Sequence, residues 1–257
     1  MSLAPLLFVS HGSPMFAFDT GLAAQQLARQ STHFDHVQAI VVVSAHWLTH
    51  GNYITSSESP QVIYDFSGFP HALYDLLYPA CGSSIIAKQV ITLFNDNGIE
   101  MKADTQRGWD HGVWVPLRHL RPNADKPILQ ISINVEHDTN QLQHLGQVLK
   151  QLRSQNIGII CSGSVTHNLS DTRAKHELVA DYAQQFQEWV REAVISKDIE
   201  AIKQPSKSPF YRQSHPSSEH YLPLIVALAA IDVYESVNVL TSPILHHTIS
   251  MESYIWT

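Results

Sequence analysis

The chain has 257 residues, 44% hydrophobic and 15% charged, with 16 Lys and Arg against 23 Asp and Glu for a net charge of −7. That acidic balance, without any basic run, argues against nucleic acid and anionic membrane surfaces as partners. Two cysteines, Cys81 and Cys161, are too few for a disulfide framework or a Cys-rich zinc site, and no apolar run reaches the roughly 18–20 residues of a membrane span. Residues 1–8 lack the basic start and cleavage-like end of a secretory leader, so a reducing cytoplasm is the expected location.

Residues 3–10 (LAPLLFVS) and 39–45 (AIVVVSA) are continuous apolar runs followed by turn signals, the pattern of buried strands, with a helix expected over 22–30 between them. Residues 84–97 predict a helix ended by Gly98. Strands follow at 127–133 and 157–161, separated by a helix over 140–155 with Leu142, Leu145, Val148, Leu149 and Leu152 at helical spacing. Residues 173–203 predict a long helical region broken near 196–198, and residues 203–218 a Ser/Pro-rich loop folded over a site. A helix over 217–231 tolerates Pro223 only near its first turn, and 237–240 and 246–250 are weaker strands. Alternating strands and helices predict a single α/β domain over 1–257, its central sheet largely parallel or mixed with helices on both faces. A chain this long folds without staples, so a metal site in it reads as functional rather than structural.

The 16 histidines equal Lys and Arg combined, and no poly-His tract accounts for them. Ligands of open α/β sheets bind beyond the carboxyl ends of the strands. There the sequence places Ser10-His11-Gly12, Ser44-Ala45-His46 and, after the strand at 157–161, Ser162-Gly163 followed by His167. One such histidine alone reads as a hydrogen-bonded structural residue. Three at one sheet edge point to a shared divalent metal, because buried imidazoles need partners and neutral imidazole is a common metal ligand. His111, inside Gly108–Gly112, and the pair Glu219-His220 at a helix start have related settings, although local pairing of His111 with Asp110 and an exposed first turn explain them equally well. His71 lies in an aromatic loop suited to a flat ring; Ser13, Trp47, Phe69 and Trp109, in the same turns, complete the candidate substrate contacts. Phosphate loops, the G-x-S-x-G elbow and the H-E-x-x-H pair are missing, and Cys161 reads as a buried, inert thiol.

The segments SHGSPM (10–15), VVVSAHW (41–47), DFSGFP (65–70), WDHGVW (109–114), SGSVTHNL (162–169) and HPSSEHYLPL (215–224), in this order, resemble the DOPA-dioxygenase-type branch of the class III extradiol ring-cleaving dioxygenases. The resemblance implies one divalent ion per chain held by His11, His46 and His220. It also implies His167 as acid/base and as fourth ligand in zinc-loaded resting forms, with His111 in a supporting or substrate-contacting role. Other branches use two histidines and a glutamate, which leaves Glu219 as the alternative third ligand, although this branch favours His220. The implied reaction inserts both atoms of O2 into a catechol such as DOPA to give a muconic semialdehyde. Fe(II) is implied for activity and Zn(II) as the ion present on purification. Three neutral ligands are expected to leave the +2 charge uncompensated, favouring a doubly ionised catechol and weakening iron retention. Two further readings are a zinc hydrolase using metal-bound hydroxide and a non-catalytic binding member of the superfamily; against the latter stands the presence of every candidate ligand together with His167.

Overall fold

The computed structural model describes residues 3–173 and 178–257. In chain order the elements begin β1 (Leu6–Ser10), α1 (Leu22–Arg29), β2 (Ala39–Thr49), β3 (Asn52–Thr55), α2 (Ser84–Asp96) and β4 (Met101–Asp104). They continue α3 (His111–Leu120), β5 (Ile128–Asn134), α4 (Thr139–Ser154), β6 (Ile157–Gly163), α5 (Asp181–Ile195), α6 (Ile199–Lys203) and α7 (Tyr211–Ser214). The chain closes with α8 (Leu222–Ala229), β7 (Val237–Leu240), β8 (Ile244–Leu245), β9 (Ile249–Ser250) and β10 (Ser253–Trp256).

Eight strands form one mixed sheet in the order β4-β3-β5-β2-β6-β1-β10-β7. Its centre, β5-β2-β6-β1, is parallel, while β3 runs antiparallel to β5 and β10 antiparallel to both β1 and β7. Every residue of β1, β5 and β6 is buried, as expected of strands covered on both faces. Leu6, Phe8, Val41, Val43 and Ile159 face one core with Val90, Leu149, Val190 and Leu224 from the helices. Leu7, Val9, Ile40, Val42 and Ile160 face the other, against Leu27 of α1 and Val113 and Leu117 of α3. Burial pushes the Cys161 thiol far above its ordinary range, as an inert core position requires.

The mixed sheet and single domain match the expectation, and so does the helical break: Lys197 adopts a φ of 57° and the Asp198 side chain caps α6. Besides the short elements β3, β4, α7, β8 and β10, which were not expected, four details differ. The helix expected from residue 173 is seen only from Asp181, and its stretch 174–177 lies outside the described residues. The helix expected from 217 begins at Leu222, because residues before Pro223 form a turn. The strand expected over 246–250 shrinks to Ile249–Ser250; His246 and His247 have φ values of 51° and 75° and make the tight turn from β8. The fourth is α3, which occupies a segment read as loop and carries Pro116 in its interior.

Gly146 of α4 lets this helix lie against α8: a Cβ there would stand 2.4 Å from the Val226 carbonyl oxygen and 2.6 Å from Ala229 Cβ. Gly146→Ala is expected to destabilise the fold by about 1–3 kcal/mol, the usual cost of overpacking, measured by urea unfolding. An unchanged midpoint would contradict this close approach.

Candidate metal centre

The site is built at the carboxyl ends of three adjacent parallel strands, β2, β6 and β1. His11 directly follows β1, where Gly12 makes the turn with a φ of 64°. His46 sits in an irregularity of β2: Val43 pairs with Ile131 but Leu48 already pairs with Ile133, so the residues between them bulge out of the ladder. His167 lies four residues beyond β6, and His220 arrives from the turn before α8. Gly163 admits that turn, since a Cβ would lie 2.2 Å from the His220 carbonyl oxygen, which accepts the Ser164 N–H at 2.9 Å. His111 opens α3.

His46 Nε2 lies 3.0 Å from His11 Nε2 and 3.2 Å from His220 Nε2, with the His11 and His220 rings 5.2 Å apart. Their Nδ1 partners determine which nitrogen carries the proton. His220 Nδ1–H donates to the Glu219 carboxylate at 3.1 Å, leaving Nε2 as a bare lone pair. His11 Nδ1 lies 2.9 Å from Ser162 Oγ, whose only hydrogen goes to the Gly112 carbonyl, so Ser162 must accept and His11 Nε2 is bare as well. That carbonyl is free because its helical donor would be residue 116, a proline without an N–H. His46 can offer one proton at most, and its Nδ1 faces Asp65 at 3.4 Å. Converging lone pairs repel unless a cation sits among them. Donors about 2.0–2.1 Å from an ion, separated by roughly 90–110°, stand about 2.9–3.4 Å apart, so the observed spacing fits a divalent metal.

Burial keeps these rings neutral and ready to bind. It holds His11 well below its ordinary pKa and lowers His46 to about 4 and His220 to about 3, with neighbouring imidazoles adding to the shift. Hydrogen bonding from His220 outweighs burial at Glu219 and lowers it to about 2. At Asp65 burial raises the carboxyl, but bonding and charge from His111 overcome it and leave a net lowering.

His167 stacks on His220 with ring centroids 3.5 Å apart and planes 10° from parallel, and burial lowers its pKa too. The buried His215 secures this arrangement: its Nε2–H donates to the Val165 carbonyl at 2.9 Å, while His167 N–H donates to the Ser214 carbonyl at 2.8 Å. His111 lies 4.0 Å from His46 and 5.3 Å from His11, ring to ring, and forms with them one group able to hold a metal, while His167, Glu219 and His220 form another beside it. Asp65 accepts from both His111 nitrogens available to it, backbone N–H and Nδ1–H, each at 2.9 Å.

The expected substrate contacts divide. Phe69 packs on Phe66 at 5.4 Å, and Phe66 reaches His111 edge-on at 5.7 Å, so the aromatic wall of the site is Phe66 with Phe69 behind it. Ser13 is half-buried at the start of a short 3-10 helix two residues past His11. Three placements need correcting. Trp109 is completely buried against Tyr78, because its backbone pairs with Gln61 and Ile63 and turns the indole into the core. Trp47 lies beneath the Arg107 guanidinium at 5.4 Å and lines a neighbouring cavity of about 670 Å³ that none of the clustered histidines lines. His71 is 90% exposed and faces Asp75. The roles of Asp65, Ser162 and Phe66 escape sequence reading, since their partners lie tens of residues away and only the fold joins them.

The histidine shifts carry a stability consequence. Folded-state pKa values below the unfolded value of about 6.5 mean that the unfolded chain binds more protons once pH falls beneath that value. Metal-free protein is therefore expected to lose stability between pH 7 and pH 5, by up to about 2 kcal/mol for each fully shifted imidazole, with no such loss above pH 7. Urea unfolding at several pH values measures this, and a flat profile would contradict the burial of neutral rings.

The same architecture recurs in known proteins. Residues 5–255 match the family described as the catalytic LigB subunit of aromatic ring-opening dioxygenase. The 4,5-DOPA dioxygenase extradiol of Beta vulgaris is 36% identical over 228 residues, covering 87% of this chain and 85% of that protein. The protein of the same name from Escherichia coli (strain K12) is 34% identical over 254 residues, covering 97% and 93%. A crystal structure of an uncharacterized protein from Escherichia coli K12 superposes with a TM-score of 0.84 at 29% identity, covering 98% of this chain and 99% of that one. With its histidine cluster in place at the strand ends, the chain belongs to the LigB family and is an extradiol aromatic ring-opening dioxygenase.

Proposed function

We propose that the enzyme cleaves a catechol such as DOPA beside its diol, inserting both atoms of O2 to give a muconic semialdehyde. One divalent ion serves the reaction, held by Nε2 of His11, His46 and His220. The observation that carries this reading is the meeting of these nitrogens at 3.0 and 3.2 Å, with His11 and His220 fixed as bare acceptors. When bound there, Fe(II) supplies open positions for the diol and O2 and the redox link between them. Zn(II), higher in the affinity series, occupies the same ligands on purification and leaves the protein inactive.

The chain's own groups handle protons and orientation. His167, neutral and stacked on His220, takes a phenolic proton at a ring nitrogen and returns it during ring opening. His111 has its Nδ1–H committed to Asp65, so its Nε2 is free to accept from a substrate hydroxyl. Phe66 presents an aromatic face beside His111 that shields the ring from water. Glu219 serves as the partner of His220 rather than as the third ligand. The cytoplasm suits both the two free cysteines and a ferrous ion. No observation favours the hydrolase or binding-protein readings.

Oxygen uptake with a catechol is expected after anaerobic Fe(II) loading and not after Zn(II) loading; equal uptake with both ions would contradict the reading. His167→Ala is expected to retain metal and lower kcat by about 10²–10⁴-fold, and wild-type turnover would remove the acid/base assignment. His11→Ala and His46→Ala are expected to lose the metal, measured by elemental analysis, and full occupancy in either would contradict the ligand set.

A further inference from the structure

We infer that Asp65 and Glu219 carry the negative charge of the metal centre, each acting across one imidazole, so that the three-histidine site is electrically balanced without a carboxylate ligand. This rests on the metal site proposed above and revises the expectation of an uncompensated ion. Glu219 accepts from His220 Nδ1 at 3.1 Å and is itself held by Ser217 Oγ–H at 2.9 Å. Asp65 Oδ2 lies 2.9 Å from His111 Nδ1 and 3.4 Å from His46 Nδ1. One ligand, His220, therefore hydrogen-bonds to a carboxylate, His46 faces Asp65 at 3.4 Å without a hydrogen bond, and His11 leans on the neutral Ser162.

The charge count around the cluster favours a bound cation. The carboxylates are only 19% and 27% exposed, so water screens them incompletely. Among the described residues, their only ion-pair partners are the imidazoles of His46, His111 and His220. The nearby buried Asp110 is different, since Arg107 pairs with it at 3.0 Å and Ser44 and Gln130 donate to it. Among the described residues, Asp65 and Glu219 thus contribute two negative charges that no lysine or arginine pairs with. A divalent ion among the Nε2 atoms supplies the missing two positive charges. A carboxylate bonded to a ligating imidazole, as Glu219 is to His220, also fixes ring orientation and raises ligand basicity, and losing one ordinarily costs about 10–100-fold in metal affinity.

The test uses full-length metal-free protein titrated with Zn(II) or Co(II) against a chelator of known affinity. Glu219→Gln keeps an acceptor oxygen for Nδ1–H and removes the charge, while Asp65→Asn removes the charge together with one of the two oxygens that accept from His111. Each is expected to weaken binding about 10–100-fold at unchanged one-to-one stoichiometry. Glu219→Asp, which keeps the charge, is expected to lose less than Glu219→Gln. Asp75→Asn, which removes an exposed charge from the same loop region, is expected to change affinity less than about twofold. Co(II) absorption bands are expected at wild-type positions in every variant, because no ligand changes. Wild-type affinity in both Asp65→Asn and Glu219→Gln would overturn the inference, as would a shifted Co(II) spectrum in Glu219→Gln, which would make Glu219 itself a ligand. Failure of the unmutated protein to bind one ion would instead overturn the underlying metal site.

Discussion

Three imidazole nitrogens meeting with too few protons among them is the constraint around which the rest of the site is arranged. His11 and His220 each spend their ring N–H outward, on Ser162 and Glu219, and turn bare nitrogens toward His46. A cation among them would satisfy all three nitrogens at once, where the one proton His46 can offer serves a single contact best. The fold bears the cost of assembling it: each ring must be desolvated, and burial pushes every one of them toward neutrality. A rigid parallel sheet suits this task, because adjacent strands position His11 and His46, and the His220 turn is docked on β6 through Gly163.

The supporting contacts are local consequences of particular residues. Pro116 withholds a helical hydrogen bond from the Gly112 carbonyl, Ser162 takes up that acceptor, and the choice of His11 tautomer follows. Gly163 brings the His220 turn against β6, and His215 holds that turn to Val165, which leaves His167 stacked on His220. Asp65 does two things at once: it accepts the first N–H of α3 and orients the His111 ring. Pro116, Ser162, Gly163, His215 and Asp65 thus shape the site through the histidines they contact.

Much of this was legible in the sequence, for identifiable reasons. The central strands carry continuous apolar runs, and the histidines fall just beyond them, so both the sheet and its functional edge could be placed. The strands β3, β4 and β10 were missed because NYIT, MKAD and SYIW are short and mostly lack an apolar run. Helix α3 was missed because Gly112 and Pro116 read as loop residues, although each has a role inside the helix. Trp47 and Trp109 were assigned to the substrate by adjacency to histidines, yet neighbours in a chain need not share a surface. Asp65 was visible only as part of a quoted motif, since its partnership with His111 spans the fold.

The ligand assignment separates cleanly from its nearest alternative, in which His111 replaces His220 beside His11 and His46. Crystals of the protein loaded with Zn(II), measured at the zinc absorption edge, locate the ion directly. The account predicts one anomalous peak per chain, about 2.0–2.1 Å from Nε2 of His11, His46 and His220, with Asp65 and Glu219 outside bonding distance. A peak bonded to His111 but not to His220, or no peak among the three nitrogens, would contradict it.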